Sequence, residues 1–132
     1  MTRAVVGVLV ALLVSACAPA GPTDDNYIAG RTIYRTCAQC HGSSGEGGVG
    51  RALGTVRETF PDCDDHIEWI SLGSEGWQQT YGSAYGATNQ PIEGAMPAFD
   101  SLNRLELAQV AVYERVRFGG GELADELATC GF

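Results

Sequence analysis

Two cysteines and a histidine stand together in a single five-residue run. The run is Cys37-Ala38-Gln39-Cys40-His41, which has the pattern C-x-x-C-H. In this pattern the two thiols add to the two vinyl groups of a haem, and the histidine that follows places a ring nitrogen on the iron. A helix end would present all three side chains to one side of the ring. The run therefore predicts a site of covalent haem attachment.

Two other kinds of site also use C-x-x-C. A thioredoxin-like redox pair needs a βαβ pattern nearby, and none is visible in the sequence. A zinc site needs two more ligands at a regular spacing. The remaining candidates are His66 and the isolated Cys17, Cys63 and Cys130, and they form no second C-x-x-C or H-x-x-x-H. The haem interpretation is favoured over both.

A second iron ligand is expected from the segment 91–99, Pro-Ile-Glu-Gly-Ala-Met-Pro-Ala-Phe. Met96 lies there, framed by Gly94, Ala95 and Pro97. Its thioether is a soft, neutral ligand that favours reduced iron and raises the potential. The alternative is a methionine buried in the core. Beside a C-x-x-C-H run, the ligand interpretation is favoured.

His66 is the competing second ligand, and two histidine ligands would lower the potential. It stands directly after Asp64 and Asp65 in a short amphipathic segment. That neighbourhood is typical of a solvated helix face. We therefore expect His66 to be exposed and not to bind iron.

Helices must position these residues. A first helix is predicted over about 26–40, with Asp24 or Asp25 as its N-cap. Gly30 inside it costs about 1 kcal/mol relative to alanine, which indicates close approach of another helix. The Gly-rich segment 42–50 lacks the lysine of a phosphate-binding loop, so we expect it to wrap one edge of the haem.

The second half is predicted to hold two further helices. One covers 62–72 and is ended by Gly73. Residues 74–90 contain no element that the pattern supports. The aromatic residues there, Trp77, Tyr81 and Tyr85, line the haem or bond its propionates in one interpretation and fill gaps between loops in the other. Asn103 and Glu106 form a capping box for a buried helix over 104–118, whose apolar face includes Leu105. One or two helical turns are expected over 122–128.

The N-terminus predicts export. One basic residue, Arg3, precedes an apolar run that ends at Ala16, too short for the roughly 20 residues that span a bilayer. Cys17 follows a Ser-Ala pair, as in a bacterial lipoprotein signal, so we expect a signal peptide over 1–16 and lipid on Cys17. An ordinary signal peptide cut after Ala18-Pro19-Ala20 is the alternative. Residues 17–26 then form the lipidated N-terminus and a flexible linker, and 27–132 the folded domain.

Charge and the remaining cysteines give two more expectations. The chain has no lysine, and without residues 1–16 it keeps 7 arginines against 16 Asp plus Glu, a net charge of −9. Such an acidic domain does not bind nucleic acid and favours a basic partner, although acidity could also serve only solubility. Cys63 and Cys130 form an even pair in an oxidising compartment, so a disulfide is predicted, with two free thiols as the alternative.

Taken together, residues 26–118 resemble a class I c-type cytochrome. The matching residues are Gly30, Tyr34, Cys37, Cys40, His41, the run from Met96 to Phe99 and Tyr113. The resemblance implies an all-α fold of three to five short helices around one covalent haem c, with long Gly-rich loops. It also implies His41 and Met96 as the axial iron ligands, and contact of Gly30 with Tyr113.

The sequence departs from this family at one place. Arg51 stands where the family often has a proline whose carbonyl accepts the proton of the ligand histidine. The Arg51 carbonyl can still accept that proton, and its guanidinium can reach a haem propionate. Of the aromatic residues, Tyr81 is the one we assign to the cofactor site.

The function that follows is one-electron transfer by a non-enzyme, tethered to the outer face of the cytoplasmic membrane or held in the periplasm. The resemblance implies redox partners such as a bc-type complex and a terminal oxidase. The alternatives are a fixed haem subunit of a larger oxidase or reductase complex, and a haem enzyme or gas sensor that loses its methionine ligand.

Overall fold

The computed structural model describes residues 23–132. The predicted signal peptide, the lipidation of Cys17 and most of the linker lie outside this part of the chain. The described elements, in chain order, are α1 (Asp25–His41), α2 (Val56–Thr59), α3 (Cys63–Tyr81), β1 (Ala84–Tyr85), β2 (Gln90–Pro91), α4 (Arg104–Arg117) and α5 (Leu123–Thr129). The all-α fold class is confirmed, because the strands comprise only two residues each.

Helices α1 and α4 cross at Gly30 and form the centre of the fold. A Cβ on Gly30 would overlap the Gln109 carbonyl and lie 2.9 Å from the Tyr113 Cβ. The predicted contact between Gly30 and Tyr113 is therefore present, and only glycine permits it. The Tyr34 ring packs against Tyr113 at 5.3 Å between centroids and closes this contact toward the C-terminal end of α1.

Both helix starts follow from their caps. The Asp24 carboxylate accepts from the backbone N–H groups of Asn26 and Tyr27, as one of the two predicted N-caps. The predicted capping box of α4 is also present, with Asn103 and Glu106 bonded reciprocally at 3.1 and 2.9 Å. Leu105 was wrongly placed on the buried face. It is 52% exposed, whereas Leu107 and Ala108 are buried, so the buried side of α4 begins with those two residues.

Helix α3 is longer than predicted. Gly73 does not end it but kinks it, with φ 63° and ψ −174°, and helical structure resumes to Tyr81. The prediction of no element over 74–90 is therefore wrong for its first half. The second half forms the antiparallel pair of β1 and β2, in which Ala84 faces Pro91 and Tyr85 faces Gln90.

The C-terminal tail is joined to α3 by a disulfide between Cys63 and Cys130, as predicted. A buried carboxylate also holds it: Glu126 binds Arg57 at 2.6 Å and is paired with the buried guanidinium of Arg115. Within residues 23–132, no helix is both long and apolar enough to cross a membrane.

Candidate functional site

The C-terminal end of α1 presents the three residues of the C-x-x-C-H run to one cavity. Cys37, Cys40 and His41 all line it. Cys37 and Cys40 are three residues apart and lie on the same side of the helix, with Cys37 buried and Cys40 exposed. Burial raises the pKa of the Cys37 thiol to about 12, so this sulfur is neutral at physiological pH before attachment.

The His41 ring is oriented by a backbone carbonyl. Its Nδ1 lies 2.7 Å from the Arg51 carbonyl oxygen, as predicted for this position. Because a carbonyl can only accept, Nδ1 carries the proton, and Nε2 keeps the lone pair that a metal needs. Gly50 makes room for the ring, since a Cβ there would lie 2.8 Å from the imidazole Cε1.

The Gly-rich loop is held against the helix end. The N–H groups of Gly47 and Gly50 donate to the carbonyls of His41 and Cys40, at 2.8 and 2.9 Å. These carbonyls belong to the last turn of α1 and have no partner within the helix. The loop therefore caps α1, and it also brings the Arg51 carbonyl within hydrogen-bonding distance of the His41 ring. Val49, at the outer part of this loop, is 90% exposed and lies on the rim of the cavity.

The side chain of Arg51 is bonded to two other side chains at the cavity rim. The guanidinium donates to Gln90 Oε1 at 3.0 Å and to Glu93 Oε2 at 3.1 Å. Arg51 and both of these partners lie at the rim of the cavity. The carbonyl role is present, and contact with a propionate stays a prediction.

Met96 lines the same cavity from the loop that follows β2. Its backbone is bonded to Ser74 at the kink of α3, through the Met96 N–H to the Ser74 hydroxyl at 3.0 Å. The structure therefore brings together His41 and Met96, which are 55 residues apart in the chain. Their roles as iron ligands stay a prediction that this shared cavity supports.

The cavity has a volume of about 500 Å³. Most of its wall is apolar, and its large aromatic and aliphatic side chains include Val56, Phe60, Trp69, Ile70, Tyr85 and Phe99. A mostly apolar cavity with a few placed polar groups is typical of a cofactor site. Its size and its thiol and imidazole groups suit a single haem.

The prediction that His66 is exposed is wrong. Only 2% of the residue is accessible, its ring stacks on Phe60 at 5.1 Å, and it lines the cavity. Its Nε2 lies 3.1 Å from Glu114 Oε2, and its Nδ1 is buried without a hydrogen-bond partner. The two aspartates before it are exposed, whereas His66 and Ile67 after them are buried.

Glu114 was missed by the sequence reasoning. It is 5% exposed and also lines the cavity. The available signal was its position, directly after Tyr113 in the most apolar stretch of α4. A carboxylate at such a place is costly unless it is paired, and its partner His66 was assigned to the surface.

Tyr81 does not belong to the cavity, which corrects its assignment to the cofactor site. It is 55% exposed, and its hydroxyl donates to Glu68 at 2.7 Å. Trp77 also lies outside the cavity wall, where it packs on Trp69 and donates to the Ala84 carbonyl. Of the three aromatic residues considered, Tyr85 alone lines the cavity.

The competing sites lack their partners. Within residues 23–132, no three His, Cys, Asp or Glu side chains are grouped to hold a metal ion, as a zinc site requires. The strands of this part form only a two-stranded pair and no βαβ unit. The residues present therefore fit a covalent haem better than zinc or a redox-active dithiol.

The comparison with protein families agrees with this geometry. The family model described as Cytochrome c matches residues 27–113, which include the C-x-x-C-H run, the Met96 loop and the crossing of α1 with α4. None of the proteins of curated function matches the chain.

Proposed function

Because the chain belongs to the cytochrome c family, we propose that it is a membrane-tethered one-electron carrier of a bacterial respiratory chain. The cofactor of the family is covalently bound haem c. The observation that carries the proposal is one mostly apolar cavity that is lined by both the C-x-x-C-H run and Met96. Two protein ligands would leave the iron no open position, which favours electron transfer over catalysis.

Each residue of this site has a separate role in the proposed carrier. Cys37 and Cys40 would hold the haem covalently, while His41 and Met96 would bind its iron. The Arg51 carbonyl keeps the proton on His41 Nδ1, and Phe60 and Trp69 exclude water. When bound, the haem supplies one-electron chemistry. Ligands that are held rigidly would keep the change in iron coordination small when an electron is transferred.

The cavity rim supports brief docking of a redox partner. Val49 is exposed on the rim, so one edge of a haem held in the cavity would lie near the surface. The excess of acidic residues favours a basic partner surface, such as that of a bc-type complex or a terminal oxidase. Contacts of this kind weaken as salt increases.

The tether rests on the sequence before residue 23. Cys17 after Ser15-Ala16 would carry the lipid, and the short linker would let the domain move between partners. Replacing Cys17 with serine tests this: the wild-type protein is expected in the membrane fraction and the variant in the soluble periplasmic fraction. An unchanged distribution would contradict lipidation of Cys17.

The carrier role is tested on the purified holoprotein by potentiometric titration. We expect one reversible transition with a slope of one electron and no binding of carbon monoxide to the reduced form, because neither protein ligand leaves the iron. Rapid carbon monoxide binding would instead indicate an open iron position, as in a gas sensor or a haem enzyme.

A further inference from the structure

We propose that Ser74 is a positioning residue that holds the Met96 loop and sets how readily an external ligand replaces the thioether. This inference rests on the proposed function, because it requires Met96 to bind the iron. It concerns a residue outside the C-x-x-C-H run. Its basis is the kink of α3.

Three hydrogen bonds join Ser74 to the backbone of Met96. Its N–H donates to the Met96 carbonyl at 3.0 Å, and its hydroxyl accepts from the Met96 N–H at 3.0 Å. The same hydroxyl lies 3.3 Å from the Met96 carbonyl, to which it can also donate. Because Ser74 is 6% exposed, little water competes for these bonds.

Gly73 makes this approach possible. Its φ of 63° turns the backbone out of the helix and frees the Ser74 N–H from the helical ladder. A Cβ on Gly73 would lie 2.6 Å from both the Ala98 nitrogen and the Pro97 carbonyl carbon. The loop therefore packs directly on the kink, and the two adjacent residues act together.

The loop has few other supports. Among the described residues, the backbone of 93–98 is held by the bonds to Ser74. On either side of it, the Ile92 N–H donates to the Ser83 carbonyl, and the Phe99 N–H donates to the carbonyls of Ile70 and Ser71. Pro97 has no N–H to donate, and Ala95, Pro97 and Ala98 are exposed. Loss of the Ser74 hydroxyl would leave Met96 with a single backbone bond.

An external ligand has a route to this position. A second, open groove is lined by Leu72, Gly76, Gln79, Pro97 and Ala98 and also reaches Ser74 and Met96. Ser74 and Met96 line the haem cavity as well, so the loop forms the wall between groove and cavity. If the loop moved outward in the holoprotein, a small base such as imidazole would be able to replace the Met96 sulfur as an iron ligand.

The test is a titration of the oxidised full-length holoprotein with imidazole, followed by loss of the weak long-wavelength sulfur-to-iron absorption band. For Ser74→Ala we expect about tenfold tighter imidazole binding, the change that follows from losing hydrogen bonds of ordinary strength. Ser74→Thr keeps the hydroxyl and should bind imidazole as the wild type does. Thr80→Ala is the matched control, because its hydroxyl bonds Gly76 on the same helix and does not touch the loop.

The inference is overturned if Ser74→Ala binds imidazole within twofold of the wild type, or if Thr80→Ala shifts the affinity equally. If Ser74→Ala does not accumulate, Ser74→Cys keeps the size with a weaker donor and must still bind imidazole more tightly. A wild-type protein without the sulfur band would instead contradict the proposed function itself. The two failures are therefore distinguishable.

Discussion

At the scale of single residues, some groups of the site are predictable from the sequence and a pair of others is not. The C-x-x-C-H run and Met96 could be predicted because their residue types and spacing are specific. The burial of His66 and Glu114 could not be predicted. The aspartates next to His66 are typical of an exposed helix face, and the sequence does not show which side of each helix faces the cavity. In the structure both side chains are buried against the cavity and paired at 3.1 Å.

The buried pair predicts a strong coupling. His66→Phe or Glu114→Leu alone should lower the free energy of unfolding by about 3 kcal/mol, because each leaves a buried polar partner unpaired. The double variant should lose less than either single one, since no unpaired group remains. Denaturant unfolding of the four holoproteins measures this coupling. Strictly additive losses would contradict a direct interaction.

At the scale of elements, the helix starts and the crossing of α1 and α4 could be predicted, whereas the continuation of α3 could not. Asn103 and Asp24 act through local bonds that the sequence contains. Gly73 permits either a helix end or a kink, and the choice depends on the Met96 loop, which is distant in the chain. Tyr81 was misplaced for the same reason, because the helix carries it away from the cavity.

The close crossing of α1 and α4 predicts that a single added methyl group at Gly30 destabilises the protein. Gly30→Ala should lower the free energy of unfolding by about 2 kcal/mol, because the Cβ overlaps the backbone of α4 and forces the helices apart. The gain in helix propensity offsets part of this cost. Gly54→Ala is the control, since a Cβ there has no neighbour within 4 Å. Equal stability of Gly30→Ala and the wild type in chemical denaturation would refute the close packing.

At the scale of the whole molecule, the C-terminal tail is attached to the helical domain at α3 and at two arginines. The cysteine count predicted the disulfide, because the other cysteines already had roles. The ion pairs of Glu126 with Arg57 and Arg115 could not be foreseen, since they join residues from three separate segments. The tail is thus fixed by a covalent bond and by a buried charge.

Removing both cysteines, Cys63→Ala with Cys130→Ala, should lower the free energy of unfolding by about 4 kcal/mol. The two residues are 67 positions apart, and opening a loop of this length restores much chain entropy to the unfolded state. The visible spectrum should not change, because neither cysteine lines the cavity. A denaturation midpoint equal to that of the wild type would show that the bridge contributes nothing.

The central claim is that His41 and Met96 bind the iron of a single haem in this cavity. The most direct measurement is the absorption spectrum of the oxidised holoprotein, compared between the wild type and Met96→Ala. We expect the weak sulfur-to-iron band in the wild type and its complete loss in the variant, whose reduced form should then bind carbon monoxide. A band that survives in Met96→Ala, or a wild-type spectrum of two imidazole ligands with His66 as the second, would contradict the claim.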